Sequence, residues 1–567
     1  MEAVIEKGVE TRLVPAASVA ITPDTWPIEA IAFAWIVILG GTIFRLFAWL
    51  HWRSFWLDEL YLVHNITHRG WGDLLFKPLD YWQTAPVGYL ALEKLCFVLM
   101  GDGERALRLP SLLAGVGALI LFYHVARRVV PLRAALVGLI LFAVLDPLIS
   151  YSQEAKPYSM DVVAALAVLF TAARAMEKPE VRGRWIQYSL TGAAAILFSY
   201  PAVLVLTGTG IVLLIETRKQ ALLSAIAALA GCVVVEAINW FFVLRPFWHT
   251  PAHAGLFKFW YDAGAFPPGN PNTAMKWIFI SLDEIFRSDR SMDLANAGLA
   301  MFLAAVGIGG MIVLRRRKWA ALIGAPILLA LVAAFARLYP LGDRLALYLV
   351  PMLTLLTAAG IDLLWGDGSW RRSSVGLLAG AMVFAGPFLR SVYILQEPSG
   401  REESKQIYQW IATNWNSSDL LVLSRMSVYS FNHYGPQTGL GGLHQIWLDA
   451  SDADKQPEMV LENTDATSKA RGNVVVEPDR SSNPGKYLDD MDHILAAPAD
   501  SHWPPVRRVW VVFIHCWGGD NSEPVMLCLP ELERKGRLIM HHHEDGASVY
   551  LFETPEATAP TGRSAGQ

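Results

Sequence analysis

Eleven stretches of this chain are apolar enough to be read as membrane-crossing helices, each of which needs about 20 such residues to span the hydrocarbon core. They lie at 27–50, 107–127, 134–150, 158–175, 185–199, 201–216, 220–244, 293–314, 319–337, 341–364 and 373–395. A chain of 567 residues with 53% apolar and 17% charged side chains is too hydrophobic for an ordinary soluble protein. The fold expected is therefore a polytopic α-helical membrane protein with about 11 transmembrane helices.

Basic residues in short loops set orientation, because they accumulate on the cytoplasmic side. Alternate loops hold Arg127, Arg128 and Arg133, then Arg174, Lys178, Arg182 and Arg184, then Arg218 and Lys219, then Arg315 to Lys318, then Arg371 and Arg372. The short loops between them carry only Lys156 and Arg344. The first set is read as cytoplasmic, which places the N-terminus inside and the C-terminal region outside.

The organisation expected is a cytoplasmic tail at 1–26, a transmembrane domain at 27–396, an extracytoplasmic domain at 397–555 and a disordered tail at 556–567. Outer loops fall at 51–106, around 152–157 and at 245–292. The first of these is long and aromatic, with Trp52, Phe55, Trp56, Tyr61, Trp71, Tyr81 and Trp82, as suits a loop lying in the membrane interface. The N-terminal 25 residues have no apolar core, so the first apolar segment is read as an uncleaved signal anchor. The C-terminal region reads as a soluble α/β domain, with a helical pattern over 402–414 and strand-like runs at 420–424, 509–514 and 548–552.

The net charge of −4 gives no support to nucleic-acid binding. The four cysteines form no CxxC pair, and only Cys516 and Cys528 share an extramembrane segment, so a disulfide there is an alternative to two buried thiols. His541 to His543 before Asp545-Gly546 reads as a hairpin rather than a metal site. The Gly307 to Gly310 run inside an apolar segment reads as helix packing, since no strand precedes it.

Chemistry is expected on the outer side. Asp58 and Glu59 follow the first apolar segment among aromatics, where shielding would raise the proton affinity of a carboxylate and suit it to general base work. A solvated helix end is the plain alternative. Cations on the same side are Arg105, Arg108, Lys156 and Arg344, of which Arg105 and Arg108 could equally reach lipid headgroups. Glu154 either contacts an acceptor or pairs with Lys156. Glu236 and Asn239, inside an apolar segment, either contact substrate or bond between helices.

The order of WLDE, LDYWQTAPVGYLALEKL, ERALRLPSLLAG, YSQEAKPYSMD and YPLGDRLALYLVP over roughly residues 30 to 395 resembles the family-39-like branch of the C-type glycosyltransferases. It is similar to protein O-mannosyltransferases and lipid A aminoarabinose transferases, and looks closest to bacterial proteins with an Rgt-like glycosyltransferase domain. The C-terminal region, ending RVWVVFIHCW and GASVYLFE, looks like an appendage of some bacterial members. The resemblance implies an integral bacterial inner-membrane enzyme with a polyprenyl-phosphate sugar donor and an extracytoplasmic site. Its acceptor would be an envelope glycan, lipopolysaccharide or protein.

Carried over by motif, Asp58 is the general base, and Glu59 orients it or holds a cation. Arg105, Arg108, Lys156 and Arg344 are candidates for the donor phosphate; Gln83, Glu154, Tyr158, Glu236 and Asn239 are candidates for substrate contact. Some relatives have a histidine or lysine before the proline where this chain reads Gln83-Thr84-Ala85-Pro86. No cofactor is implied, and a divalent cation stays an alternative. A transporter or flippase for a lipid-linked sugar is the competing reading, but it predicts inverted repeats and broken helices with intramembrane charges.

Overall fold

The computed structural model describes residues 26–51, 53–217, 219–366, 370–396, 401–416, 419–424, 426–441, 445–447, 474–476, 508–516, 529–530, 532–534 and 536–553. Helix α1 (Ile28–Leu50) leads into a first loop that folds as α2 (Leu57–His68), α3 (Trp71–Phe76) and α4 (Val87–Met100). The chain returns through α5 (Glu104–Val129), α6 (Leu132–Val144) and α7 (Asp146–Ser150), then α8 (Tyr158–Glu177), α9 (Arg182–Phe198), α10 (Ala202–Glu216) and α11 (Lys219–Asn239). Helix α11 runs through a π turn, Trp240–Leu244, into α12 (Arg245–Trp248). A second long loop folds as α13 (Pro251–Asp262) and α14 (Pro271–Arg287), followed by α15 (Ala297–Val313), α16 (Arg317–Phe335), α17 (Val350–Trp365) and α18 (Trp370–Gln396). Pro27, Pro86, Pro131, Pro157 and Pro201 each sit at a helix start, where the missing N–H has no intrahelical partner to lose.

All eleven apolar segments are helical, yet among the described residues seven helices have the length and composition to cross a membrane, or eight if the bent pair at α6 and α7 is one span. Helices α9 and α10, at 17 and 15 residues, rise only ~25 and ~22 Å, short of a ~30 Å hydrocarbon core. The segment at 134–150 is bent by 59°, with Pro147 starting the second piece. The segment at 341–364 opens as a 3-10 run, Asp343–Leu349. Helices α5, α8 and α17 form the centre of the bundle, whereas α1, α11 and α18 turn Trp35, Leu39, Val233 and Leu378 outward, as helices against lipid do.

Two contacts fix the bundle closely. Arg45 of α1 is 1% exposed, and its guanidinium donates to the carbonyls of Gly41 at 2.9 Å and Ala143 of α6 at 3.2 Å. Where α15 crosses α17, a methyl group on Gly307 would collide with the Leu356 carbonyl, and one on Gly360 with the Leu303 carbonyl. The glycine run of α15 thus lies in a close helix crossing.

Beyond α18, α19 (Ser404–Asn414) and α20 (Ser427–Thr438) accompany a six-stranded sheet. Its strands are β1 (Leu420–Leu423), β2 (Gln445–Trp447), β3 (Val474–Val476), β4 (Arg508–Ile514), β5 (Arg537–Glu544) and β6 (Ala547–Glu553), ordered β2-β3-β1-β4-β6-β5. The first four in that order are parallel; β6 and β5 form an antiparallel hairpin with Gly546 at φ +62° in its turn, so His541 to His543 lie in a strand. Alternation along the strands gives the sheet two apolar faces. Leu421, Trp510, Val512 and Leu551 face one way, into a core that also contains Phe55, Leu60, Val63 and Ile66 of the first loop. The first loop and the sheet unit therefore share one hydrophobic core, separate from that of the bundle. Cys528 and the tail at 556–567 lie outside the described residues.

Candidate active site

The turn from Ser54 to Leu57 starts α2 and sets Asp58 and Glu59 in its first helical turn, so the two carboxylates point in different directions. Glu59 is wholly buried. Its Oε1 accepts from Arg108 Nε at 2.9 Å and the Ala155 amide at 2.7 Å, and its Oε2 accepts from Arg108 Nη2 at 2.7 Å and the Trp56 amide at 3.3 Å. Burial favours the neutral acid, but the Arg108 charge and hydrogen bonds outweigh it and hold Glu59 below its ordinary value. Arg108 further donates to the carbonyls of Arg53 and Ser54, at 2.8 and 2.9 Å. The pair ties the turn to α5 and to the loop before α8.

Asp58 points the other way. Lys156 Nζ stands 3.1 Å from its Oδ1 and Arg344 Nη2 3.3 Å from its Oδ2. Gln83 bridges, donating to Asp58 Oδ1 at 3.4 Å and accepting from Lys156 Nζ at 2.6 Å. The expectation that shielding raises the proton affinity of Asp58 is not met. Burial does push the carboxyl up, but Lys156 and Arg344 more than cancel it and hold Asp58 at about 2. Lys156 lies below its ordinary value because burial outweighs the pull of Asp58.

Backbone strain helps to aim these groups. Tyr81 and Trp82, just before Gln83, have φ of 61° and 55°, and Asp343, just before Arg344, has φ of 50°. Left-handed conformations at such residues are costly and persist only where surrounding contacts enforce them. The Arg344 guanidinium carbon lies 5.8 Å from the Trp56 ring, 5.6 Å from Tyr158 and 5.9 Å from Trp260, within cation–π range. Trp260 comes from α13, so the second long loop reaches the site.

Glu154, also wholly buried, pairs not with Lys156 but with Arg401 at 3.1 Å and, more distantly, Arg53 at 3.9 Å. Arg401 stacks 4.7 Å from the Trp56 ring, which it shares with Arg344. Arg401 and the Glu402-Glu403 pair after it escaped the sequence reading; the only signal was a charged run immediately beyond the last apolar segment.

The structure thus brings together Asp58, Gln83, Lys156, Tyr158 and Arg344, with Glu154 alongside. Glu59 and Arg108 are committed to one another. Arg105 donates to the Leu50 carbonyl at 2.9 Å and lines a separate cavity of about 480 Å³ with His51, Lys405 and Gln409. In α11 the Asn239 amide donates to Glu236 Oε2 at 3.4 Å, a bond within the helix.

Residues 84–241 match the family model of the dolichyl-phosphate-mannose-protein mannosyltransferases. Among curated proteins, none matches the sequence. Among solved structures, the oligosaccharyltransferase AglB from Archaeoglobus fulgidus, in complex with an inhibitory peptide and a dolichol-phosphate, aligns with 94% of this chain and 75% of its own at 12% identity and a TM-score of 0.51. ArnT from Cupriavidus metallidurans in the apo state aligns with 92% of this chain and 97% of its own, at 13% identity and a TM-score of 0.50. The fold is that of the C-type glycosyltransferases.

Within this C-type glycosyltransferase fold, the segment matched by the family model carries Glu154, Lys156 and Tyr158, while Asp58, Gln83 and Arg344 lie outside it. The tertiary structure brings the two sets together. The donor set does not fit a resident divalent cation, which would take several oxygen ligands. Both Glu59 oxygens face Arg108, both Asp58 oxygens face cations, and among the described residues no three His, Cys, Asp or Glu side chains converge.

Proposed function

We propose that this chain is a membrane glycosyltransferase that moves a sugar from a polyprenyl-phosphate donor to the hydroxyl of an envelope glycan, lipopolysaccharide or protein. The observation that carries the reading is Asp58 set between Lys156 and Arg344. A carboxylate so clamped is a poor base, yet the same two cations suit a phosphate: Lys as a point charge, Arg as a planar fork. A donor phosphate competes with Asp58 for them. As it takes their charge, the influence holding Asp58 down weakens and its proton affinity rises, so donor binding itself readies the base.

The chemistry then balances simply. The acceptor oxygen attacks the anomeric carbon while Asp58 takes its proton; the bond from that carbon to the phosphate oxygen breaks, and the phosphate leaves as an anion held by Lys156 and Arg344. Gln83 and Tyr158, beside Asp58 and Arg344, are the candidates for contact with the sugar, and Glu154 holds Arg401 next to them. Glu59 and Arg108 serve the turn. The dolichol-phosphate on the AglB structure supports a lipid-phosphate ligand for this fold, and the alternation of basic loops supports a site facing away from the cytoplasm.

Asp58→Asn separates the two roles. In membranes supplied with lipid-linked sugars it should abolish transfer, by at least about 100-fold for loss of a general base, while undecaprenyl phosphate binds more tightly because its competitor has gone. Transfer at the wild-type level by the folded variant would reject the assignment.

A further inference from the structure

The turn that carries Asp58 is held by side chains from the far end of the chain. Four consecutive amides, Ser54 to Leu57, lead into α2. Ser54 donates to Glu403 Oε2 at 3.0 Å, Phe55 to the Tyr434 hydroxyl at 2.7 Å and Leu57 to Glu402 Oε2 at 2.8 Å; Trp56 alone is satisfied within the loop, by Glu59. The Ser54 hydroxyl donates to Glu403 as well, at 3.1 Å. All four residues are buried, so water is no substitute partner for their amides.

These acceptors are themselves anchored. The Glu403 backbone is held by its amide, which donates to the Asp545 carbonyl at 2.8 Å in the β5–β6 turn. A methyl group on Gly546 of that turn would strike the Arg401 carbonyl. The second oxygen of Glu402 lies 2.5 Å from His515 Nδ1 at the end of β4. The Tyr434 hydroxyl, besides accepting from Phe55, donates to Glu104 at the start of α5 at 3.2 Å, and Glu104 also pairs with Lys405 at 3.0 Å.

We infer that Glu402, Glu403 and Tyr434 are positioning residues for Asp58, and that the C-terminal sheet unit is a working part of the active site. Glu402 acts on the amide of the residue immediately before Asp58, at the N-terminus of a helix where a carboxylate is favoured. Releasing that amide lets the first turn of α2 move, and Asp58 with it, from its 3.1 and 3.3 Å contacts with Lys156 and Arg344. The role assigned to Asp58 is the one proposed above; the clamp itself is independent of it.

The test is a double-mutant cycle on the full chain in lipid nanodiscs, with undecaprenyl phosphate as the probe and amide exchange over the Ser54–Leu57 peptide as a second readout. Glu402→Ala should speed exchange of that peptide by about tenfold and tighten probe binding by about fivefold, as a loosened Asp58 competes less. The same substitution in the Asp58→Asn background should leave affinity unchanged, because the residue acts through Asp58. Glu402→Gln, which keeps an acceptor oxygen, should restore most of the protection. Tyr434→Phe, a milder change, should reproduce the effect at Phe55 if the alanine variant does not fold. Unchanged exchange, or an affinity change of equal size with and without Asp58, overturns the inference. Absence of probe binding by the wild-type chain would instead reject the donor reading, with the exchange arm still deciding the clamp.

Discussion

Asp58 and Glu59 are neighbours with opposite assignments, and partners alone make the difference. Glu59 has its four contacts within the protein, so Arg108→Met would leave a buried carboxylate without its counter-charge. Asp58 meets only movable groups: an amide, an ammonium and a guanidinium on three separate elements. The pH response follows from its depressed value. A carboxyl lowered from 3.8 to about 2 in the folded state contributes stability that is complete above 3.8 and lost as the pH falls through 2. Thermal unfolding of wild type against Asp58→Asn should therefore differ by a constant amount above about pH 5 and converge only below about pH 2. Convergence near pH 6 would show that Asp58 is not clamped in the donor-free chain. Lys156 and Arg344 were legible in the sequence because each is a cation in a loop otherwise short of positive charge, and Asp58 because it belongs to an acidic pair set among aromatics. Glu402 and Glu403 were not, because their partners are backbone amides more than 340 positions away, and an amide leaves no mark on sequence.

At the scale of elements, the helices were readable from hydropathy, and the number of spans was not. Apolar content identifies a segment, but whether it crosses a bilayer depends on where the helix stops or bends, as at Ser199 before Pro201 and at Leu145 before Asp146-Pro147. The strands β1, β4 and β6 fell where β-branched and aromatic runs predicted them, whereas pairing order required the structure. The glycine run of α15 gives a test of close packing. Gly360→Ala inserts a methyl group where the Leu303 carbonyl already stands, so α15 and α17 must separate. A loss of about 1–3 kcal/mol is expected for such overpacking, read as lowered thermal stability in detergent. Gly309→Ala, with open space around it, should be neutral.

For the whole molecule, the boundary drawn by composition at residue 397 is not the boundary drawn by packing. Phe55, Leu60, Val63 and Ile66 are completed by Ile407, Tyr408, Leu421 and Trp510. Ending the chain after α18 would expose the first-loop half of that core and strip three acceptors from the Asp58 turn. Limited proteolysis should then cut the segment from Arg53 to Arg69 while sparing the bundle; a first loop as resistant as in the full chain would show that it folds without the sheet unit.

The buried guanidinium of Arg45 bears on how such a chain is made. An arginine inside a lone apolar helix resists insertion, by about 2.5–3.5 kcal/mol at the helix centre and by less toward an end, where Arg45 lies in α1; of the two carbonyls it bonds, only Gly41 belongs to its own helix. The second, Ala143, is synthesised nearly a hundred residues later. Helix α1 is thus an unfinished one when it is made, with its buried arginine only half satisfied until α6 follows.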